Sequence, residues 1–445
     1  MKKIKLSYFA LLSVLILLWL LADKVFTARY GFQDFKLSII YFTGTLAIGC
    51  MSVGMFLSIR PMSVEPFLGG LDKSYRLHKW LGVSALVFSV LHWQCIKAPK
   101  WLAEMGWLQK PVHKPAVPTS GTLPGLFNLL HSQHRLADTV GNWAFYASVA
   151  LIAVALFKRF PYRHFFKTHR LMAVAYLALV FHSVVLMNPA YWHSPLGPAI
   201  GLLFFVATLA AAISLLRRVG RTRRAVGAIV DLTHYRDNRV LGVTIKLKDR
   251  WFGHAAGQFA FVTFDPAEGP HPFTISSAWH DDGKLSFHIK GIGDYTKNLS
   301  ETRKVGDLVT VEGPYGRFDF GGNKPRQIWI AGGIGITPFL ARMQARELPT
   351  DKRIVDLFYS TNAPDEDFIG KVKHMATIAN VRLHVMVSGK DPRLTPQRLR
   401  ETVPEWMSAD VWFCGPDGFG RALKEDLVAN GLRDGDFHQE LFDMR

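Results

Sequence analysis

The chain is 445 residues long and 49% hydrophobic, with a formal net charge of +18; that length suits two or three domains. The charge is unevenly placed: residues 1–224 hold 25 Lys and Arg against 6 Asp and Glu, whereas residues 225–445 hold 28 against 29. The basic excess sits at the ends of apolar runs, which argues against a nucleic-acid binder and fits the positive-inside pattern of a membrane protein.

Six runs are long and apolar enough to cross a bilayer, at about 6–22, 37–59, 79–96, 139–157, 171–188 and 198–216. Basic residues gather on one side of them: Lys2, Lys3 and Lys5; Arg60, Lys73, Arg76 and Lys79; Lys158, Arg159, Arg163, Lys167 and Arg170; Arg217, Arg218, Arg221, Arg223 and Arg224. Those 17 charges against 8 on the other side predict a multi-pass protein with both termini cytoplasmic. The first run resembles a signal peptide but lacks a clear A-x-A site, and it is predicted to remain as a helix. No span carries an acidic or basic residue in its middle, which argues against a pump or ion transporter.

The third and fifth runs each hold two histidines. His78 and His92 are 14 residues apart in RLHKWLGVSALVFSVLHW, and His169 and His182 are 13 apart in KTHRLMAVAYLALVFHS. On a helix these gaps are about 21 Å and 20 Å. The two helices run the same way, so His78 pairs with His169 near the inner face and His92 with His182 near the outer face. Intramembrane histidine is costly and marks a site, and two levels of paired imidazoles suit two stacked b-type haems as metal ligand sets. One detail resists. At about 100° per residue, 14 residues return to within ~40° of the same face, but 13 leave ~140°. Either the second helix is distorted or the two groups approach it from different sides.

Residues 97–137 read as a long outer loop in which His113, His131 and His134 are solvated rather than a metal pair. Cys50, Cys95 and Cys414 form no CxxC, so neither an iron–sulfur cluster nor a zinc site is expected.

After the arginine run the texture changes. VLGVTIKL, GQFAFVTF, KLSFHIK and DLVTVEG predict a small antiparallel barrel over roughly 225–320. From residue 326 strands and helices alternate, from QIWIAG and TPFLARMQAR to DVWFCG and GFGRALKEDLVAN, predicting a parallel α/β domain. The expected organisation is a membrane helical bundle with a four-His di-haem core over 1–220, an antiparallel β-barrel over 225–322 and a parallel α/β domain over 325–445.

Several short motifs suggest chemistry. HPFTISS (271–277) places an aromatic beside hydroxyls at a strand end, suited to cover a flavin ring. KGIGDYTKNL (290–299) has glycines and Thr296 that can set backbone N–H groups against a pyrophosphate. AGGIGITPFL (331–340) follows a strand and opens a helix, a phosphate-favouring arrangement, though it is not the G-x-G-x-x-G fingerprint. FCGP (413–416) closes a later strand.

HPFTISS, GDYT, GPYG (313–316), GGIGITP and CGP follow one another in the order and spacing of the ferredoxin–NADP reductase family, which the cytoplasmic half resembles. With the four-His helices ahead of it, the chain from about residue 37 to 445 resembles the NADPH oxidase and ferric reductase superfamily in its bacterial form. That resemblance implies a bacterial inner-membrane location. It also implies FAD held by His271, Pro272, Phe273, Thr274, Lys290 and Thr296, with Phe273 stacked on the isoalloxazine and Thr274 near its N5. His271 stands where soluble relatives carry a phosphate-binding Arg. Gly332, Gly333, Gly335, Thr337, Cys414, Gly415 and Pro416 would hold the nicotinamide nucleotide, with Cys414 beside the nicotinamide. In the terminal FHQELF, Glu440 and Phe442 would close over the flavin. The chain departs from the family at STNAPDED, which lacks the Arg that pairs with the 2′-phosphate of NADPH; Arg393 is a substitute, and the donor is read as NADPH or NADH.

The resemblance thus implies an NAD(P)H-dependent flavohaem oxidoreductase in the lipid bilayer, passing electrons through FAD and two haems to an extracytoplasmic acceptor. The acceptor would be oxygen or a ferric chelate, and no nucleic acid is involved. The alternative is an electron-transfer subunit that serves a periplasmic redox partner protein.

Overall fold

The computed structural model describes residues 2–23, 32–107, 132–157, 160–346 and 350–440. It forms two compact units, one running to Val219 apart from Gly69–Asp72, the other from Gly220 onward and including Gly69–Asp72.

Six helical segments in the first unit are long and apolar enough to cross a membrane. They are α1 (Lys2–Ala22), α2 (Phe32–Ser58), α3 (Leu71–Glu104), α4 (His134–Leu156), a fifth span made of α5 (Tyr162–His169) and α6 (Met172–Leu186), and α7 (Leu196–Leu215). Small residues let the helices approach closely where lipid supplies no hydrophobic drive: Ala173, Ala207, Ala210 and Ala211 are buried with Tyr176, Ile200 and Phe204 in one cluster. Buried hydroxyls find partners inside the bundle, as Ser52 and Tyr176 do at 2.9 Å.

The fifth span is broken at Arg170–Leu171, and the break answers the spacing problem. Leu171 N–H donates to Thr168 O, Ala173 to Arg170 O and Val174 to Leu171 O, all i→i−3. Such residues turn ~120° rather than ~100° each, so three of them recover about 60° of the ~140° offset between His169 and His182. Of the two resolutions the sequence leaves open, the helix is distorted.

The second unit holds two sheets. The first is antiparallel, in the order β4-β3-β6-β1-β2-β5, with β1 (Arg224–Tyr235), β2 (Val240–Leu247), β3 (Phe259–Thr263), β4 (His271–Thr274), β5 (Lys284–Lys290) and β6 (Leu308–Tyr315). Its two edges are joined by one bridge, Ile275 to Phe287. Inward residues of five strands meet in a core around Val243, Ile245, Val262, Phe287 and Val311, and Phe273 of β4 packs against it. Helix α8 (Asp294–Thr302) follows β5. The long strand β1, directly after the arginine run, was not among the expected segments.

The second sheet is parallel, in the order β11-β10-β7-β8-β9, with β7 (Arg326–Gly332), β8 (Ile354–Thr361), β9 (Arg382–Val387), β10 (Ala409–Cys414) and β11 (Phe437–Gln439). The connecting helices are α9 (Thr337–Gln344), α10 (Glu366–Ile378), α11 (Pro396–Thr402) and α12 (Asp417–Ala429). β7 and β10 are almost wholly buried, as central parallel strands covered on both faces must be. One face packs Trp329, Phe339, Leu357 and Trp412, and this core also takes in Tyr235, Phe318 and Phe320 from the antiparallel part. The expected division near 322–325 therefore runs through a shared core. Chain order leaves β7 for β8 on one side and returns to β10 on the other, so a topological switch point lies between β7 and β10.

A buried ion network ties the far end of this sheet. Arg326 donates to Asp356 at 2.5 Å and to Glu405 at 3.1 Å, and His384 lies 3.3 Å from Asp356. Asp356→Ala leaves the Arg326 guanidinium buried against only the exposed Glu405. It is expected to cost about 3–5 kcal/mol, read as a lower melting temperature of the full-length protein. The double variant Arg326→Met/Asp356→Leu is expected to regain most of that loss.

Candidate functional site

In the first unit the four histidines meet in two pairs. The rings of His78 and His169 are 6.0 Å apart at 79°, and those of His92 and His182 are 6.4 Å apart at 86°. Nδ1 of His78 lies 2.9 Å from the Gly54 carbonyl, that of His92 2.9 Å from Ile40 O, and that of His182 2.8 Å from Ala137 O. A carbonyl only accepts, so Nδ1 carries the hydrogen in all three and Nε2 is the nitrogen left to ligate. Metal-bound imidazoles have this outer hydrogen bond as a rule. The ring separations also fit: two metal–nitrogen bonds of about 2 Å, plus roughly 1 Å from each nitrogen to its ring centre, span about 6 Å. His169 differs. Its Nδ1 is buried without a hydrogen bond, and its ring stacks on Phe165 at 5.1 Å. Around His92 and His182 the helices enclose a cavity of about 290 Å³, lined also by Trp93, Phe145, Lys97, Asp138 and Asn142. The residues present therefore fit a flat metal-bearing group held between each ring pair.

In the second unit, HPFT is the edge strand β4, paired only with β3, so its outward backbone groups lie outside the sheet ladder. Pro272, which has no N–H to give, is tolerated there for that reason. Thr274 is buried opposite Phe259. Phe273, His271 and Tyr295 form an aromatic shelf, with His271 6.4 Å from Phe273 and 4.4 Å from Tyr295, both near-parallel. Burial lowers the His271 pKa, against the opposing pull of the Gly269 carbonyl and Glu268. The ring is thus a neutral stacking surface rather than a cationic clamp. Thr296 Oγ1 accepts the amides of Ile292 and Gly293, 3.1 Å each. It shapes the loop ahead of α8 and takes up two of the N–H groups that the sequence offers to a pyrophosphate.

The glycines after β7 and β10 bring the switch point together. A Cβ on Gly332 would lie 2.7 Å from Pro416, one on Gly335 would overlap the Cys414 carbonyl, and one on Gly415 would lie 3.1 Å from Gly332. Gly333 has φ +56, and its Cβ direction faces Lys290 Nζ at 3.8 Å, so the end of β5 reaches this loop. Burial, then Arg239, lowers the Lys290 pKa. Thr337 is buried at the start of α9, its hydroxyl donating to Ile334 O. Cys414 is fully buried; burial, then Glu440, holds its thiol well above the usual range, so it is protonated and not a nucleophile. Glu440 is buried after β11, and its carboxylate lies 3.7 Å from the Cβ direction of Gly316, whose own close neighbour is Phe259. Thr274, Phe259, Gly316, Glu440 and Cys414 are thereby linked from one sheet to the other. Phe442, His113 and His131 lie outside the described residues, and His134 opens α4.

Sequence reasoning missed a polar chain behind HPFTISS. Lys371 of α10 lies 3.2 Å from His288 Nε2, and His288 Nδ1 lies 2.7 Å from Ser276 Oγ, which donates to Ser286 O. Lysine only donates, so Nε2 accepts and Nδ1–H donates to Ser276. Nothing in SFHIK marks this histidine, because its partner is 83 residues away.

Two family descriptions match the chain: "Ferric reductase like transmembrane component" over residues 43–180 and "FAD-binding domain" over 227–319, together just over half its length. The chain belongs to the ferric reductase and NADPH oxidase superfamily. It is 29% identical over 199 residues to respiratory burst oxidase homolog protein G of Arabidopsis thaliana, covering 40% of this chain and 23% of that protein. It is 27% identical over 188 residues to the glycine betaine monooxygenase reductase subunit of Chromohalobacter salexigens, covering 38% of this chain and 50% of that one. The chain spans about half the length of curated relatives such as the latter. Among solved structures, flavohemoglobin from Malassezia yamatoensis shares 18% identity at a TM-score of 0.48, covering 92% of this chain and 97% of that one.

Burial, then Lys371, pushes the His288 pKa down to about 3 from 6.5. The folded value lies below the unfolded one, so the folded protein takes up this proton less readily. Its contribution to stability is intact above pH 6.5 and is lost as pH falls toward about 3. The unfolding free energy of the full-length protein, read from urea titrations, is expected to fall between pH 6.5 and 4 by on the order of a few kcal/mol, and His288→Asn is expected to flatten that slope. An unchanged slope in the variant would assign the acid sensitivity elsewhere.

Proposed function

We propose that this chain is a transmembrane oxidoreductase that passes electrons from cytoplasmic NAD(P)H through FAD and two b-type haems to an extracytoplasmic acceptor, oxygen or a ferric complex. The observation that carries this reading is the two imidazole pairs, three of their four rings held with Nδ1 donating to a helix carbonyl. When bound, FAD takes a hydride and gives up electrons singly, and haem iron carries one electron at a time.

The residues divide the work. His78 and His169 ligate one haem, His92 and His182 the other. If His92 and His182 both ligated the outer haem, they would leave no position on it for an acceptor to bind. Lys97 follows His92 toward the outer loop and supplies a cation at the cavity lining. The aromatic shelf of Phe273, His271 and Tyr295 and the outward backbone of β4 would hold the flavin, and Thr274 would supply a hydroxyl to it. Gly332, Gly333, Gly335 and Gly415 let a nucleotide approach the backbone at the switch point, where open α/β sheets take ligands. Glu440 closes the site from the C-terminal side, above a protonated Cys414.

Thr274→Ala is expected to slow flavin reduction about tenfold or more in stopped flow with haem content unchanged. His92→Leu is expected to leave one haem per chain by pyridine haemochrome and to stop transmembrane transfer, while NAD(P)H diaphorase activity remains. An intact protein with one haem or none would refute the di-haem reading. Membranes given NADPH and assayed for superoxide and for ferric-chelate reduction choose the acceptor; activity only after adding periplasmic extract would assign delivery to a partner protein instead.

A further inference from the structure

We propose that Gly44 and Gly141 are positioning residues that uncover a helix carbonyl for each imidazole of the outer pair; this rests on the haem reading above. The carbonyl that receives His92 is Ile40 O, four residues before Gly44, and the carbonyl that receives His182 is Ala137 O, four residues before Gly141. In an α-helix the carbonyl of residue i already accepts the amide of i+4. Side chains lean toward the helix N-terminus, so the Cβ at i+4 overhangs that same carbonyl. Removing it opens a lateral path by which a second donor from a neighbouring helix can arrive.

The available space agrees. A Cβ at Gly141 would come within 3 Å of three atoms of the His182 ring, and one at Gly44 would lie 3.2 Å from Nδ1 and Cε1 of His92. Thr43 Oγ1 donates to the same Ile40 carbonyl at 3.1 Å and stands 3.4 Å from His92 Nδ1, so this carbonyl serves several donors. The inner pair is built otherwise. His78 reaches the Gly54 carbonyl near the end of α2, past Ser58, which stands four residues on and keeps its Cβ, and a Cβ on Gly54 itself would be 3.8 Å from Nδ1, an ordinary contact. The paired device is therefore specific to the outer level: each glycine seats a ring, and the carbonyl beneath it fixes the tautomer with Nε2 left to ligate.

The test is haem per flavin and redox titration of the full-length protein, with Gly141→Ala, Gly44→Ala and, as a control, Gly82→Ala, whose Cβ would meet nothing within 4 Å. Gly141→Ala is expected to halve the haem content, keeping the inner haem as proof of an intact bundle. Gly44→Ala, where the ring need give only slightly, is expected to keep two haems with the outer one shifted in potential. Gly82→Ala is expected to match wild type. Two haems at wild-type potentials in Gly141→Ala would overturn the proposal. Should Gly141→Ala lose both haems, Gly44→Ala decides: a shifted or missing outer haem supports the proposal, and an unchanged pair overturns it. A wild-type protein without haem would remove the underlying reading, an outcome distinct from all of these.

Discussion

A ring nitrogen buried among apolar helices must be hydrogen-bonded or ligating, because lipid offers it no partner. Four histidines in one bundle multiply that demand, and the architecture of the first unit follows from meeting it. Helix α2 supplies carbonyls to His78 and His92, and α4 supplies one to His182. The fifth span pays with a tightened turn at Arg170–Leu171 that swings its two imidazoles toward one side. His169, placed ahead of that turn, is the exception: its ring stacks on Phe165 and its Nδ1 has no hydrogen bond.

The second unit solves a different problem, that of bringing the ends of two sheets to one place. An edge strand leaves main-chain groups outside the ladder in one sheet, and a reversal of strand order opens a crevice in the other. Gly332 and Gly335 matter because a Cβ on either would fall within 3 Å of Pro416 or of the Cys414 backbone, and Gly316 and Gly415 are tight as well, with neighbours at 3.1 Å. The His288–Lys371 chain braces the same strand from behind, so the flavin-side hydroxyl segment and helix α10 are held by one set of hydrogen bonds.

Much of this was legible from local pattern. The six apolar runs, the four intramembrane histidines and the alternation after residue 326 each rest on periodicities that span a few turns or strands, and they coincide with the observed elements. The 13-residue spacing of His169 and His182 left two resolutions open, a distorted helix or approach from different sides, and only the structure chooses between them. What escaped the sequence depends on distant partners or on short elements. β1 follows a run of arginines that masks its alternation, and β11 is three residues long. His271 was matched to a phosphate-binding position, yet its ring lies against Tyr295, 24 residues on. The role of Gly141 is set by a ring on another helix, which no window around GNWAF contains.

The core shared by the two sheets of the second unit bears on how such chains can be recombined. Tyr235, Phe318 and Phe320 belong to one sheet's segment of the chain but are covered by Trp329, Phe339 and Trp412 of the other. A chimera that grafts a foreign nucleotide domain after residue 322 would strip that cover and leave a large aromatic surface bare to solvent. The seam that respects the packing lies at Gly220, whose left-handed turn (φ +69) seats against buried Glu312. Substitutions inside the second sheet's loops leave that shared core intact, whereas exchange of the whole sheet breaks it.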